Sequence, residues 1–365
     1  MLSCLSNGRK ALLSKAFSPI SQIIPKIRSS LKNSSLKNQT VEQLWPQWIL
    51  DYTKLKAWKE KKGFDRRMRL GQNYVFPIVG GKHPSQITTD DVMTIIHLVT
   101  SKTEHTYPKV LTALTQFLRW CDARQLRDKE QRLPTDRGLI EPHLNINFKK
   151  PGGHHPAIDW RDIPQFIAKL HDTESSLCSK ALLFTILTAS RVQPIRHAKW
   201  TEFNKALKEW HIPAQHMKGK QGNNRPHDVP LSKQALEILR SLQRESKESE
   251  LIFSKSNTPI SDTAIRKCIR RIHKRSLQDN DLGFFDTAQN NRIAVTHGFR
   301  AAFATWAQET DKNMMVVERC LAHKDSEDKY NGAYRRGTQI KQRKKLLQQW
   351  ADYCFSKTTE FKDFE

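Results

Sequence analysis

Between about residues 128 and 157 the sequence loses its hydrophobic periodicity, while Pro134, Pro142, Pro151, Gly152, Gly153 and Pro156 accumulate beside Lys149 and Lys150. Proline has no amide donor and a fixed φ, and glycine loses the most backbone entropy on ordering, so a helix or strand is not expected to run through this stretch. The chain therefore divides there into two parts joined by a linker, and each part must bury a core of its own. A total of 365 residues leaves both parts long enough to do so.

The part before the break reads as all helical. Thr40-Val41-Glu42-Gln43 has the form of a capping box, and Val41, Leu44, Trp45, Trp48 and Ile49 recur behind it at helical spacing. Pro46 falls in the first turns of that helix, where it is tolerated if the true start lies near it. A second amphipathic stretch follows Thr88-Thr89-Asp90-Asp91, with Val92, Ile95, Ile96 and Val99 on one face. A third runs through Val110, Leu111, Leu114, Phe117 and Leu118 to Trp120.

After the break the pattern is mixed. Residues 163–170, 181–187, 261–275, 299–309 and 313–321 have helical patterning, and 338–354 is a last amphipathic helix built on Leu346, Leu347, Trp350 and Cys354. Short segments at 198–202, 209–213 and 227–231 suggest a small antiparallel sheet, with Lys218 and Lys220 at a hairpin tip. The expected fold class is thus mainly α with a small antiparallel β-sheet, in two domains.

Charge narrows the partner. The formal net charge is +25, from 62 Lys and Arg against 37 Asp and Glu. Such an excess repels itself unless a polyanion neutralises it, and nucleic acid is the leading candidate because every neutralised phosphate releases counterions. No run approaches the ~18 apolar residues of a membrane span, so no membrane partner is expected. No acidic residue precedes Glu42, whereas Arg9, Lys10, Lys15, Lys26, Arg28, Lys32 and Lys37 do. Residues 1–39 therefore read as a basic flexible arm for DNA phosphates, although an organellar transit peptide has the same composition. Six scattered cysteines suit reduced thiols of a cytosolic protein. His154 and His155 are adjacent and do not share a helical face as a metal pair would, so neither a metal nor a cofactor is expected.

Six residues of the C-terminal part could carry chemistry: Arg191 in TASRVQP, Lys218 in HMKGK, His297 and Arg300 in THGFR, His323 in LAH, and Tyr334 in AYRR. Each alone has an ordinary explanation as a cap, a solvated charge or a packing residue. Together they contain the parts of a phosphoryl transfer. A tyrosine oxygen can attack in line, two fork-shaped guanidiniums suit the non-bridging oxygens, and lysine and histidine can move protons. Tyr330 and Tyr334 are four positions apart and would share a helical face, so spacing alone leaves both open as nucleophile.

At these residues the chain resembles the tyrosine recombinases, or phage integrase family, in particular integrases of satellite phages and genomic islands. The resemblance runs from about 157 to 353 and is carried by T-H-G-F-R-A-A-F at 296–303 and E-R-C-L-A-H at 318–323. R-P-H-D-V-P-L-S at 225–232 and L-L-Q-Q-W-A-D-Y at 346–353 add to it, and the helices of 40–125 look like the family's core-binding domain. The resemblance implies a DNA clamp made of a core-binding domain at 40–127, a linker at 128–156 and a catalytic domain at 157–337. Residues 338–365 would form a C-terminal helix and tail that is either exchanged between protomers or packed at home. It further implies that Arg191 and Arg300 bind phosphate, Lys218 is the general acid, and His297 accepts the tyrosine proton. His323 would be a second phosphate contact, and Tyr334 the nucleophile of a 3′-phosphotyrosyl intermediate needing no ATP or metal.

The partners so implied are double-stranded DNA, further copies of the chain (a dimer on one site, a tetramer in the synapse) and accessory DNA-bending or directionality proteins, in the bacterial cytoplasm at the nucleoid. Alternative readings are an integrase-fold DNA-binding regulator with impaired catalysis and a type IB topoisomerase-like enzyme. Two departures stand out. Ala189 and Pro194 occupy positions where the family often has Gly and Glu, so the orientation of Arg191 must come from elsewhere. Island integrases also usually carry a longer N-terminal arm-binding domain than residues 1–39 would make.

Overall fold

The computed structural model describes residues 36–56, 61–103, 106–128, 130–143, 154–173, 176–204, 206–217, 225–245, 249–255, 257–323 and 338–358. Most of the N-terminal basic segment, Lys218, Lys220, Tyr330 and Tyr334 lie outside the described residues. The chain forms two compact units, Met1–Pro151 and Gly152–Glu365.

In the first unit, helix α1 (Val41–Lys56) begins where the capping pattern predicts, with the Thr40 amide donating to Gln43 Oε1 at 3.0 Å. Pro46 is the sixth helical residue, in the second turn, so the Glu42 carbonyl loses its i+4 donor. What holds the helix there is burial. Trp45 and Trp48 are fully buried, 4.8 Å apart edge-on, with Phe117 4.9 Å from Trp45. Aromatic burial at about 2–3 kcal/mol per side chain outweighs one lost helical hydrogen bond of about 1 kcal/mol.

Helix α2 (Lys61–Leu70) is rich in basic residues and is tied in by Trp45 Nε1, which donates to the Arg67 carbonyl at 3.2 Å. Helix α3 (Thr89–Lys102) has its full capping box between Thr88 and Asp91 and buries Val92, Ile95, Ile96 and Val99, the predicted face. Helix α4 (Tyr107–Ala123) supplies Val110, Leu114, Phe117, Leu118 and Trp120 to the same core. The proline-rich stretch is not featureless throughout. A single turn at Arg137–Ile140, capped by Asp136, drives Ile140 into the first core, and Ala157 and Ile158 already belong to the second unit.

The second unit is built around one helix. Helices α5 (Ile163–Thr173) and α6 (Leu177–Leu187) come first, and every residue from Ala181 to Leu187 is buried. A helix apolar all round must sit inside the core. Strands β1 (Glu209–Ile212) and β2 (His227–Pro230) pair antiparallel, with Trp210 opposite Val229. The segment at 198–202 is not a third strand. It is a 3₁₀ turn, Trp200–Glu202, flanked by single bridges from Lys199 to Leu251 and Phe203 to Trp210.

Helix α7 (Lys233–Glu245) follows, then the ladder of β3 (Ser254–Lys255) with β4 (Thr258–Pro259), and helix α8 (Asp262–Gln278). A last ladder pairs β5 (Phe285–Asp286) with β6 (Arg292–Ile293) ahead of α9 (Gly298–Glu309), α10 (Met314–Cys320) and α11 (Ile340–Cys354). The described structure is thus mainly helical, with three two-stranded antiparallel ladders where the sequence suggested one sheet. The apolar stripe of α11 is filled within its own unit: Leu346, Leu347, Trp350, Ala351 and Cys354 are buried, and Trp350 Nε1 donates to the Ile186 carbonyl at 3.0 Å. No described helix is long and apolar enough to cross a membrane.

Candidate active site

Arg191 is placed by the end of α6. The helix stops at Leu187, Ala189 turns through φ +47°, and Arg191 becomes the N-cap of the short helix Val192–Arg196. The left-handed region costs an L-residue about 1–2 kcal/mol. The turn is retained because the Ala189 carbonyl accepts from Arg300 Nη1. Ala189→Gly removes the Cβ penalty and is expected to stabilise the second unit by about 0.5–1 kcal/mol after glycine's extra chain entropy. The check is the urea midpoint of that unit's unfolding; a lower midpoint would contradict the strain argument.

Arg300 lies in the first turn of α9, only 5% exposed. Its Nη2 donates to the Leu321 carbonyl at 2.7 Å and lies 3.4 Å from His323 Nε2, while its Nε finds no partner within the described residues. Leu321 ends α10, and Ala322 after it is again left-handed, at φ +47°. Two strained alanine turns, one on each side, therefore frame the carbonyls that hold one guanidinium.

His323 is oriented by a residue not singled out in the sequence. Its Nδ1 donates to Glu318 Oε2 at 2.6 Å, which leaves Nε2 turned toward Arg300. His297 sits one turn before Arg300 but is exposed, with its ring edge-on to His155 at 4.5 Å between centroids. Arg300 lines the central depression, and His297 is not among the described residues that line it. Gly298 between them is there for close approach, since a Cβ would stand 2.1 Å from the Pro156 carbonyl oxygen.

The depression is lined by Ser190, Arg191, Arg300 and His227, with Met217, the residue before Lys218, at its edge. Pro194, in the place of the family glutamate, forms part of the apolar wall. Among the described residues Arg191 has no hydrogen bond or ion pair, and burial alone lowers its pKa. Burial first, and then the Arg191 charge, bring the Arg300 pKa down to about 9, with Glu318 offsetting a part. Both guanidiniums stay charged at neutral pH, close together and, among the described residues, without a carboxylate clamped to them. His227 is held near pKa 4, chiefly by burial and then by Arg343, so the imidazole is neutral in this cationic surrounding. Sequence reasoning missed His227 and Glu318. Both lie inside the quoted motifs, but nothing local marks them as site residues.

The depression thus brings two desolvated guanidiniums together beside an oriented histidine. Residues 157–336 match the phage integrase family. It is 31% identical over 224 residues to the prophage integrase IntA of Escherichia coli K12, covering 59% of this chain and 49% of that protein. To the prophage integrase IntZ of the same organism it is 28% identical, over 82% of this chain and 68% of that one. The integrase of enterobacteria phage P4 is 23% identical over 86% of this chain and 69% of its own length. The chain thus spans about half of IntA and about two thirds of the other two.

Solved structures show the same fold. A lambda integrase (75–356) dimer bound to a COC′ core site superposes with a TM-score of 0.55 at 15% identity, over 76% of this chain and 94% of that one. A lambda integrase tetramer bound to a Holliday junction gives 0.56 at 14% identity, over 89% and 88%. The Tn1549 transposon integrase (residues 82–397, R225K) in complex with a circular intermediate DNA gives 0.58 at 11%, over 79% and 92%.

Proposed function

We propose that the chain is a site-specific DNA recombinase that cuts and rejoins DNA strands through a covalent 3′-phosphotyrosyl link. The observation that carries this is the convergence of Arg191 and Arg300 on one depression with His323 locked onto Arg300 by Glu318. A phosphodiester supplies the negative charge that this pocket lacks, and its charge grows on the non-bridging oxygens in the transition state, where paired guanidiniums are most effective. The net charge of +25 suits a protein that holds a duplex.

In this reading the Tyr334 oxygen attacks phosphorus, forming the phosphotyrosyl bond as the P–O5′ bond breaks. His297 takes the tyrosine proton and Lys218 protonates the departing 5′ oxygen. A 5′ hydroxyl from a partner strand reverses the step, so the energy of the phosphodiester is conserved without ATP or metal. Residues 40–127 act as the core-binding domain and 157–337 as the catalytic domain. Dimers occupy a site and tetramers form the synapse; lambda integrase itself is found as a dimer bound to a core site and as a tetramer bound to a Holliday junction. The cytoplasm, at the nucleoid, is the corresponding compartment.

A nicked suicide duplex carrying the chain's own site tests this directly. Wild type is expected to accumulate a covalent protein–DNA adduct, Tyr334→Phe to form none, and Tyr330→Phe to retain it. The opposite result for the two tyrosine variants would move the nucleophile to Tyr330, and adduct in both would remove the tyrosine mechanism.

A further inference from the structure

Arg343 lies on α11, the helix after the proposed nucleophile, yet it is only 3% exposed. A buried guanidinium is costly unless its donors are used, and among the described residues no carboxylate is paired with it. Its Nη2 donates to the Asp228 carbonyl on β2 and lies 3.4 Å from His227 Nε2. Its Nη1 reaches the Thr338 carbonyl at 3.4 Å, and the group also bonds the Cys320 thiol at the end of α10. One side chain therefore ties together the strand carrying His227, the end of the helix before His323, and the backbone four positions beyond Tyr334.

We propose that Arg343 is a positioning residue for strand cleavage: it fastens the backbone just beyond Tyr334 to the wall of the arginine pocket and holds the His227 ring in place. The inference rests on the recombinase reading, and it gives the C-terminal helix a part in setting the site as well as in packing. The fork geometry is essential to it. Lysine could supply the charge but could not span Asp228, Thr338 and His227 at once.

The groups facing His227 fit the assignment. Arg343 and Arg300 oppose its protonation, while the Cys320 carbonyl and Asp228 favour it, and burial outweighs them all. The carboxylate of Asp228 is directed away, onto His211 Nδ1. The net effect is a neutral ring whose Nε2 can accept from Arg343.

The test uses the full chain with Arg343→Met and Arg343→Lys, reading three quantities: affinity for the nicked duplex, single-turnover rate of adduct formation at saturating duplex, and the ¹⁵N titration of the His227 ring. Arg343→Met is expected to bind within about threefold of wild type, to form adduct about 30–100-fold more slowly, and to raise the pH at which His227 titrates, consistent with the loss of a positioned donor. Arg343→Lys is expected to keep His227 neutral and to recover only part of the rate. An adduct rate per folded molecule equal to wild type in Arg343→Met overturns the proposal, and so does a rate that falls only in proportion to folded protein. Should wild type form no adduct, the recombinase reading fails instead. The His227 titration then still decides: an unchanged profile in Arg343→Met overturns the placement of that ring by Arg343.

Discussion

Arg300→Lys is expected to lower the single-turnover rate of covalent adduct formation by about 10³-fold while duplex affinity stays within several-fold. The guanidinium divides its donors among the Ala189 carbonyl, the Leu321 carbonyl and the His323 ring. These contacts aim the remaining edge at whatever enters the depression. A lysine ammonium can reach one of these acceptors, but it cannot hold two carbonyls and still present a flat pair of donors to a phosphate. The loss should therefore fall on the chemical step, where the phosphate charge increases, rather than on binding, which many surface cations share. Equal losses in affinity and rate would mean that Arg300 serves as a general phosphate anchor.

Gly298→Ala is expected to destabilise the second unit by about 3 kcal/mol, measured as a shift in its urea or thermal transition. The added Cβ would stand 2.1 Å from the Pro156 oxygen, 2.7 Å from Ala157 Cα and 2.8 Å from the Pro156 carbonyl carbon. All three are backbone atoms, so no side-chain rotation can relieve the overlap. The segment cannot simply retreat, because the Pro156 carbonyl accepts from the Val295 amide at 3.1 Å and the Ala157 amide donates to Asp286 at 2.9 Å. If it does retreat, the His155 and His297 rings separate with it. A midpoint unchanged from wild type would show that the entry to this unit is looser than its hydrogen bonds indicate.

Several features were legible in the residues alone, and they share a physical character. The face of α3 was readable because Val92, Ile95, Ile96 and Val99 repeat at the helical period and must turn together toward whatever covers them. Thr88 and Asp91 announced the start of that helix because a cap satisfies amides three residues away. The division of the chain was readable for the converse reason, since prolines and glycines exclude the periodic structures on either side. The extent of that break was not, because Ile140 is held by a core distant in sequence. The exact place of Pro46 in its helix was not readable for the same reason: the burial of Trp45 and Trp48 overrides a local preference.

By itself, the sequence determined the division into two cores, the mainly helical class, the cationic character and the set of side chains able to handle a phosphodiester. These follow from composition and from patterns only a few residues long. The tertiary structure alone decided which of those side chains meet. Arg300 finds its acceptor on Ala189, 111 positions away, and Arg343 finds His227 116 positions away. It also decided that Ala189 turns left-handed and that Pro194 stands in the wall beside Arg191, neither of which the residues themselves announce. The physical reason is that hydrogen-bond partners and burial depend on which distant segments share a neighbourhood, and no local period encodes that.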